Sequence, residues 1–282
     1  MMMKKKIAAA ALSLLACMAL GAQENAADIK AEYERQVRYV GLAGVGVETI
    51  INRWEAAAPE DPEVYVARFN YWLSKSAAES VVITRPQKRY LGNDPVMTLK
   101  DSLGRDVYYF EDVNYDDEAF GEALKAIDRA IELNPQEISY RFGKITSIMD
   151  YEKESPDMTA AEIFSLIDDY QAGGEGWTYA GETLTQELFC QGISEYCYRF
   201  FRTANPASYE YFLEISEKMN KLYPDEVVFI DNIGSYWQVN GDSRKALRYY
   251  RKALKIDPED YAANNNIRLI QSSQSRKGRP SK

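Results

Sequence analysis

One side chain that is central to much enzymatic chemistry is missing from this chain. Its 282 residues include no histidine, so neither a Ser–His–Asp nor a Cys–His nucleophile system can form. Histidine-ligated zinc and a histidine general base near neutral pH are excluded for the same reason. Carboxylates are abundant, but Asp168 and Asp169, or Glu187 and Glu195, have the pattern of solvated helix faces rather than of a convergent pair. We therefore expect a protein that is not an enzyme and has no cofactor.

One acidic cluster resembles the start of a calcium-binding loop. Asp112, Asn114 and Asp116 alternate as in an EF-hand, but Asp117 replaces the required glycine and Ala123 stands where a bidentate glutamate is needed. Acidic residues are also favoured in the first turn of a helix, where they interact with the helix dipole. The sequence therefore predicts a helix N-terminus here and no metal site.

Two cysteines, Cys190 and Cys197, lie in one helical pattern. Seven residues of helix correspond to a rise of about 10.5 Å, whereas a disulfide requires Cα atoms within about 6.8 Å. The two cysteines should not bond to each other. Their spacing of two turns places them on one apolar face, so we predict buried core thiols.

The N-terminus has the pattern of a sorting signal. Three lysines, Lys4 to Lys6, precede an apolar run at residues 7–16 and small residues up to position 22. This order predicts a cleaved signal peptide over residues 1–22 and a periplasmic or secreted protein. The alternative is an outer-membrane lipoprotein, because Leu14-Leu15-Ala16-Cys17 resembles a lipobox in which Cys17 is lipidated. A membrane contact is expected only in that case.

The charge balance argues against nucleic-acid binding. Without residues 1–22 the chain has 31 basic and 43 acidic residues, a net charge of −12, which repels a phosphate backbone. Basic residues are concentrated in the tail, residues 275–282, which we expect to be disordered.

Helical hairpins are the elements that would position any site. Within residues 227–260, apolar residues recur at spacings of three and four, which predicts two amphipathic helices joined by a turn at Gly241-Asp242. Small residues, Gly234 and Ala246, stand where the helices must approach closely. One such hairpin cannot bury its own apolar stripe and needs stacked neighbours.

This 34-residue segment resembles a tetratricopeptide repeat (TPR). The family pattern is W-x2-L-G-x2-Y, then A-x3-F, then P. The matching positions here are Ile230, Ile233, Gly234, Trp237, Ala246, Tyr250, Ala253 and Pro258. Residues 120–135 resemble the second helix of another repeat. The resemblance implies a solenoid of paired helices that binds a protein or peptide.

An insertion interrupts the helical pattern. The boundary prolines Pro62 and Pro135 are 73 positions apart, 39 more than one repeat. Residues 96–110 alternate around a glycine-containing turn, which predicts a β-hairpin, and residues 81–84 are a candidate for an additional strand. We therefore predict that a helix over residues 63–74 pairs with a helix over residues 117–134 across this insertion.

The resemblance also implies a ligand groove lined by the first helix of each pair. In the well-matched repeat the groove residues would be Val228, Asp231, Asn232, Ser235, Gln238 and Val239. Asp231 stands where a cation would be needed to grip a C-terminal carboxylate. An acidic groove that carries tyrosines, of which the chain has 21, suits an extended peptide with basic and apolar side chains.

The sequence thus predicts an all-α fold, a right-handed TPR-like α-solenoid with one inserted β-hairpin. Its parts are the signal peptide (1–22), N-terminal helices (23–76), the insertion (77–116), the main solenoid (117–260, with the clear repeat at 227–260), a capping helix (261–274) and the tail (275–282). The predicted function is that of a non-catalytic scaffold in the bacterial cell envelope. The alternatives are a lipid-anchored TPR subunit of an outer-membrane assembly complex and a glycan-binding accessory protein.

Overall fold

The computed structural model describes residues 25–77, 79–153 and 155–277. The predicted signal peptide, Cys17 and residues 278–282 lie outside this part of the chain. The helices are α1 (Ala26–Val40), α2 (Val47–Ala57), α3 (Pro62–Ser76), α4 (Asp117–Leu133), α5 (Ile138–Glu152), α6 (Asp157–Ala172), α7 (Gln186–Thr203), α8 (Pro206–Leu222), α9 (Val227–Val239), α10 (Ser243–Ile256) and α11 (Tyr261–Lys277). The strands are β1 (Glu79–Arg85), β2 (Met97–Lys100), β3 (Asp106–Asn114), β4 (Thr178–Tyr179) and β5 (Glu182–Thr183). Within the described ranges, no helix combines the length and apolar character needed to cross a bilayer.

Helices begin where capping residues stand in the sequence. Asp61 accepts a hydrogen bond from the Glu63 amide, and Pro62 occupies the first helical position of α3. At the start of α4 the Asp116 carboxylate accepts from the Ala119 amide at 2.7 Å. The acidic cluster at residues 112–116 therefore ends in a helix cap, as predicted.

The chain divides into two compact units. The first comprises residues 25–79 and 115–135 of the described chain and contains α1 to α4. Helices α3 and α4 pack side by side, as predicted from the spacing of the boundary prolines. The Asp116 amide donates to the Ser76 carbonyl at 2.9 Å, so the chain leaves and re-enters the helical hairpin at nearly the same point.

The second unit comprises residues 80–114 and 136–277 of the described chain. It contains three helical hairpins, α5/α6, α7/α8 and α9/α10, followed by α11, which packs on α10. We call α5, α7 and α9 the A helices and α6, α8 and α10 the B helices. A helices contact A helices and B helices contact B helices. This two-layer stack of hairpins confirms the predicted all-α, TPR-like solenoid.

The α9/α10 hairpin shows why its sequence carries small residues. A Cβ atom added at Gly234 would lie 2.7 Å from Cε1 of Tyr250 on the facing helix. Ala246, Tyr250 and Ala253 are fully buried, so the tyrosine ring fills the space between the two helices. The polar end of the ring is satisfied, because its hydroxyl donates to Oε1 of Gln238 at 2.8 Å.

The insertion forms a three-stranded sheet in the order β1–β3–β2. The predicted hairpin is present as the antiparallel pair β2/β3, with Met97 opposite Tyr109 and Lys100 opposite Asp106. The candidate strand at residues 81–84 is confirmed as β1, so a third strand extends the hairpin. The sheet is joined to the end of α5 by Lys153, whose ammonium contacts the Val113 carbonyl at 2.6 Å and the Asp112 carboxylate at 2.8 Å.

The structure differs from the sequence prediction in two places. Residues 178–183 form a short hairpin, β4/β5, that the helical periodicity did not reveal, and α7 begins after it at Gln186. The capping helix α11 extends to Lys277, beyond the predicted end at residue 274. Residues 275–277 therefore continue this helix and do not start a disordered tail.

Both cysteines are free and buried, as predicted. Burial raises the pKa of Cys190 to about 12 and that of Cys197 to about 12. Since the thiolate is the reactive species, these thiols act as apolar core groups in the second unit.

Candidate functional site

Helix α7 has one buried and one exposed side. Ile193, Cys197 and Phe200 are buried, and Cys197 and Phe200 meet α8 through Ser216 and Tyr211. The opposite side exposes four residues at helical spacing, Leu188, Gln191, Glu195 and Tyr198. The exposed fraction is 42% for Leu188 and 54% for Tyr198, which is high for apolar and aromatic side chains on an ordered helix.

The neighbouring A helix, α5, is tied to α7 by specific contacts. The Tyr196 hydroxyl donates to the Phe142 carbonyl at 2.9 Å and lies 3.3 Å from the Thr146 hydroxyl. Further along, Arg199 forms an ion pair with Asp150. Burial is the main reason that the pKa of Tyr196 is raised to about 12, so this tyrosine remains a neutral hydrogen-bond donor.

A cavity of about 320 Å³ opens between these two helices. It is lined by Phe142, Tyr179, Leu184, Leu188, Gln191, Gly192 and Glu195. The lining is mostly apolar and aromatic, and Gln191 and Glu195 add polar groups, a composition typical of sites that bind an organic side chain. We call the exposed side of α5, α7 and α9, with this cavity, the A face.

A glycine shapes the cavity. An ideal Cβ at Gly192 would lie 2.4 Å from Cζ of Phe142. The aromatic ring therefore packs directly on the backbone of α7, and any larger residue at position 192 requires the ring to move.

The β4/β5 hairpin supplies Tyr179 to the cavity and is held by one carboxylate. Glu137, which is buried, accepts hydrogen bonds from the amides of Ala180 and Gly181 at 2.8 and 3.0 Å and from the Thr178 hydroxyl at 2.9 Å. Its remaining bonds come from Ser139 at the start of α5. Burial by itself would raise the pKa of Glu137, but these hydrogen bonds outweigh it and lower the pKa to about 2.

The six groove residues predicted on α9 do not all share one environment. Val228 and Val239 are exposed, and Asn232 is half-buried on the same side of the helix. Ser235 and Gln238 instead bind the Tyr250 hydroxyl of the partner helix α10. The prediction that all six residues face away from the partner helix therefore needs correction, because Tyr250 reaches across Gly234 to two of them.

Asp231 also departs from the prediction. It is only 6% exposed and lies beside the Asp260 carboxylate near the start of α11. Burial and, after it, the neighbouring Asp260 raise the pKa of Asp231 to about 8. At neutral pH this side chain is mostly protonated, so it supplies little negative charge to a groove.

Sequence reasoning missed the cavity residues on α5 and α7. The Ala180-Gly181 turn was a detectable signal: two central residues between short extended segments are typical of a tight hairpin, and both have positive φ here. For Phe142 and Gly192 the sequence held no comparable signal, since their contact joins positions 50 residues apart.

The chain is similar to several solved structures at low sequence identity. No family model matches the chain, and no curated protein matches it. Among solved structures, YrrB, described as a TPR protein with an unusual peptide-binding site, is 12% identical, with 86% of this chain and 88% of that chain covered and a TM-score of 0.39. MamA from Desulfovibrio magneticus RS-1 is 11% identical, with 86% and 99% covered and a TM-score of 0.39. The TPR domain of P58(IPK) is 8% identical, with 90% and 67% covered and a TM-score of 0.30.

The fold of this chain is of the TPR type. The A and B layers, the Gly234–Tyr250 packing and the capping helix are the observations that carry this assignment.

Proposed function

We propose that this protein is a non-catalytic scaffold of the bacterial cell envelope that binds a protein or peptide on the A face. The observation that carries the proposal is the cavity between α5 and α7, where apolar and aromatic groups meet solvent beside polar ones. Exposed apolar groups gathered at one place on a folded protein commonly mark an interaction site.

The chemistry of the cavity favours an apolar side chain with a basic neighbour. Phe142, Tyr179 and Leu188 offer apolar surface, and Glu195 places a carboxylate among them. A Lys or Arg next to an apolar residue in an extended peptide would pair with this carboxylate. The exposed Val228 and Val239 on α9 extend the apolar part of the same face.

A selection experiment tests this function. A displayed peptide library is selected on the full chain, and the affinity of enriched peptides is measured for Leu188→Asp and for Met158→Asp. Met158 is the matched control, because it is 48% exposed on the B helix α6. We expect enriched peptides to carry apolar and basic residues and to lose roughly tenfold or more in affinity with Leu188→Asp only, about the size of one buried apolar anchor. Equal affinity of both variants would overturn the assignment of the A face.

A glycan is the second candidate ligand. Tyr179 and Tyr198 expose 46% and 54% of their surface, and exposed rings can stack on sugars. Intrinsic fluorescence that responds to oligosaccharides and not to the selected peptides would reverse the order of the two candidates.

The envelope location is the part of the proposal that rests on residues 1–22. Fractionation of cells that produce the wild type and Cys17→Ser separates a soluble periplasmic pool from a lipid-anchored one. A membrane-bound pool that disappears with Cys17→Ser would support the anchored TPR subunit in place of the soluble scaffold.

A further inference from the structure

A second and larger cavity lies away from the A-face cavity, within the second unit. It has a volume of about 840 Å³ and lies between the loop that follows β1 and the junction of α7 and α8. Three arginines line it, Arg85, Arg89 and Arg202, and its lining contains no acidic residue.

The loop of the insertion is held against the helices by a close contact. Gly92 has φ +78°, and a Cβ at this position would lie 2.6 Å from the Arg202 carbonyl oxygen. The Arg202 guanidinium donates to the Gly92 carbonyl at 3.2 Å and to Asn93 Oδ1 at 3.3 Å. The insertion is therefore the element that completes the cavity.

Neighbouring groups orient two of the arginines that line the cavity. The Arg85 guanidinium lies 4.6 Å from the centre of the Tyr90 ring, a cation–π contact that orients it. Arg89 pairs with Asp94 at 3.1 Å, but both side chains are 71% exposed, and such surface pairs contribute little.

The start of α8 adds a further positive element. The Asn205 side chain caps the Ser208 amide at 2.8 Å, and Pro206 has no N–H to donate. Ala207, whose amide lies in the first turn of this helix, lines the cavity. A helix N-terminus attracts anions.

We propose that this cavity binds the carboxylate side chains of an acidic peptide segment of a partner protein. Guanidinium groups match carboxylates bidentately, and the Gln87 amide in the lining can pair with peptide groups. The inference rests on the proposed protein-binding function and adds a second contact to it. This second contact prefers acidic side chains, whereas the A face is proposed to bind apolar and basic ones.

The experiment uses the full chain and labelled hexaglutamate, hexaglutamine and hexalysine peptides. Fluorescence anisotropy at low and at physiological salt measures binding. We expect hexaglutamate alone to bind, more weakly at the higher salt because of screening. Binding of hexalysine with equal affinity would overturn the proposal. So would competition by inorganic phosphate at the same concentration as the peptide, since that result indicates a general anion site.

Variants locate the binding. Arg89→Gln should raise the dissociation constant roughly tenfold, the effect of one charge-assisted hydrogen bond, and thermal melts confirm that the variant is folded. The matched control is Arg251→Gln, which removes a charge from the cationic surface of α10 formed by Arg248, Arg251, Lys252 and Lys255. An equal loss in both variants would show that overall charge, and not this cavity, binds the peptide.

The two proposals can fail separately. Leu188→Asp should leave the affinity for hexaglutamate unchanged. If peptides selected on the A face bind normally while hexaglutamate does not bind, only the arginine cavity is refuted.

Discussion

Gly192 on α7 and Phe142 on α5 are in direct contact, because an ideal Cβ at position 192 would lie only 2.4 Å from Cζ of the ring. The ring is only partly buried, and it lines the A-face cavity. This contact therefore connects helix packing to the shape of the candidate site.

Gly192→Ala should change binding more than stability. Alanine gains about 0.5–1 kcal/mol over glycine within a helix, and the half-buried Phe142 ring can shift to make room for the methyl group. We expect the free energy of unfolding to change by less than about 1 kcal/mol, while affinity for A-face peptides falls several-fold as the ring enters the cavity. Urea unfolding and peptide titration together check this expectation, and unchanged affinity would show that the ring does not border the ligand.

Gly234→Ala, in contrast to Gly192→Ala, should lower the stability of the protein. The Tyr250 ring beside Gly234 is fully buried between α9 and α10, so it cannot move aside. Overpacking of a filled core costs about 1–3 kcal/mol, which exceeds the gain in helix propensity. Thermal unfolding should show a lower Tm than the wild type. Gly121→Ala is the control, because no atom lies within 4 Å of a Cβ added there, and that variant should be slightly more stable.

Glu137→Gln should loosen the β4/β5 hairpin. The amide can no longer accept all the hydrogen bonds that the carboxylate accepts, and bonds to a charged group contribute about 1.5–3 kcal/mol each. Since the pKa of Glu137 is lowered from 4.5 to about 2, its stabilising effect is present above about pH 4.5 and is lost as the pH falls toward 2. The difference in stability between wild type and variant should therefore be large at pH 7 and vanish near pH 2.

Amide hydrogen exchange of residues 178–183 measures the local effect of Glu137→Gln on the hairpin. We expect the amides of residues 178–183 to exchange faster in Glu137→Gln than in the wild type. Exchange should be normal in Glu182→Gln, which changes an exposed carboxyl of the same hairpin. Equal protection in both variants would contradict the role given to Glu137.

Asp231→Asn should stabilise the C-terminal hairpin at alkaline pH. The pKa of Asp231 rises from 3.8 to about 8 on folding, so the folded state keeps a proton that the unfolded state has lost. Stability should accordingly decline as the pH rises from about 4 to about 8. Asparagine stays neutral and can still donate to Asp260.

The gain from Asp231→Asn should be near zero at pH 4 and on the order of 5 kcal/mol at pH 8, the cost of burying a charge beside Asp260. Chemical denaturation at both pH values measures it. Asp225→Asn, at an exposed position, should show no such pH dependence, and a similar gain there would refute the assignment.

The helical hairpins and their caps could be predicted from the sequence because their causes are local. Apolar spacing of three and four residues, Pro62 at a helix start and Asp116 as a cap act within one or two turns of chain. The 39 extra residues between Pro62 and Pro135 likewise indicated that α3 and α4 pair across an insertion.

The sites depended on contacts that only the tertiary structure brings together. Phe142 meets Gly192 across 50 residues, and Arg202 meets Gly92 across 110. The six groove residues on α9 were implied by the TPR resemblance, yet Tyr250 of the next helix binds two of them. Sequence periodicity specifies which side of a helix is apolar, but which side chains lie in contact is decided by how the helices and the insertion pack.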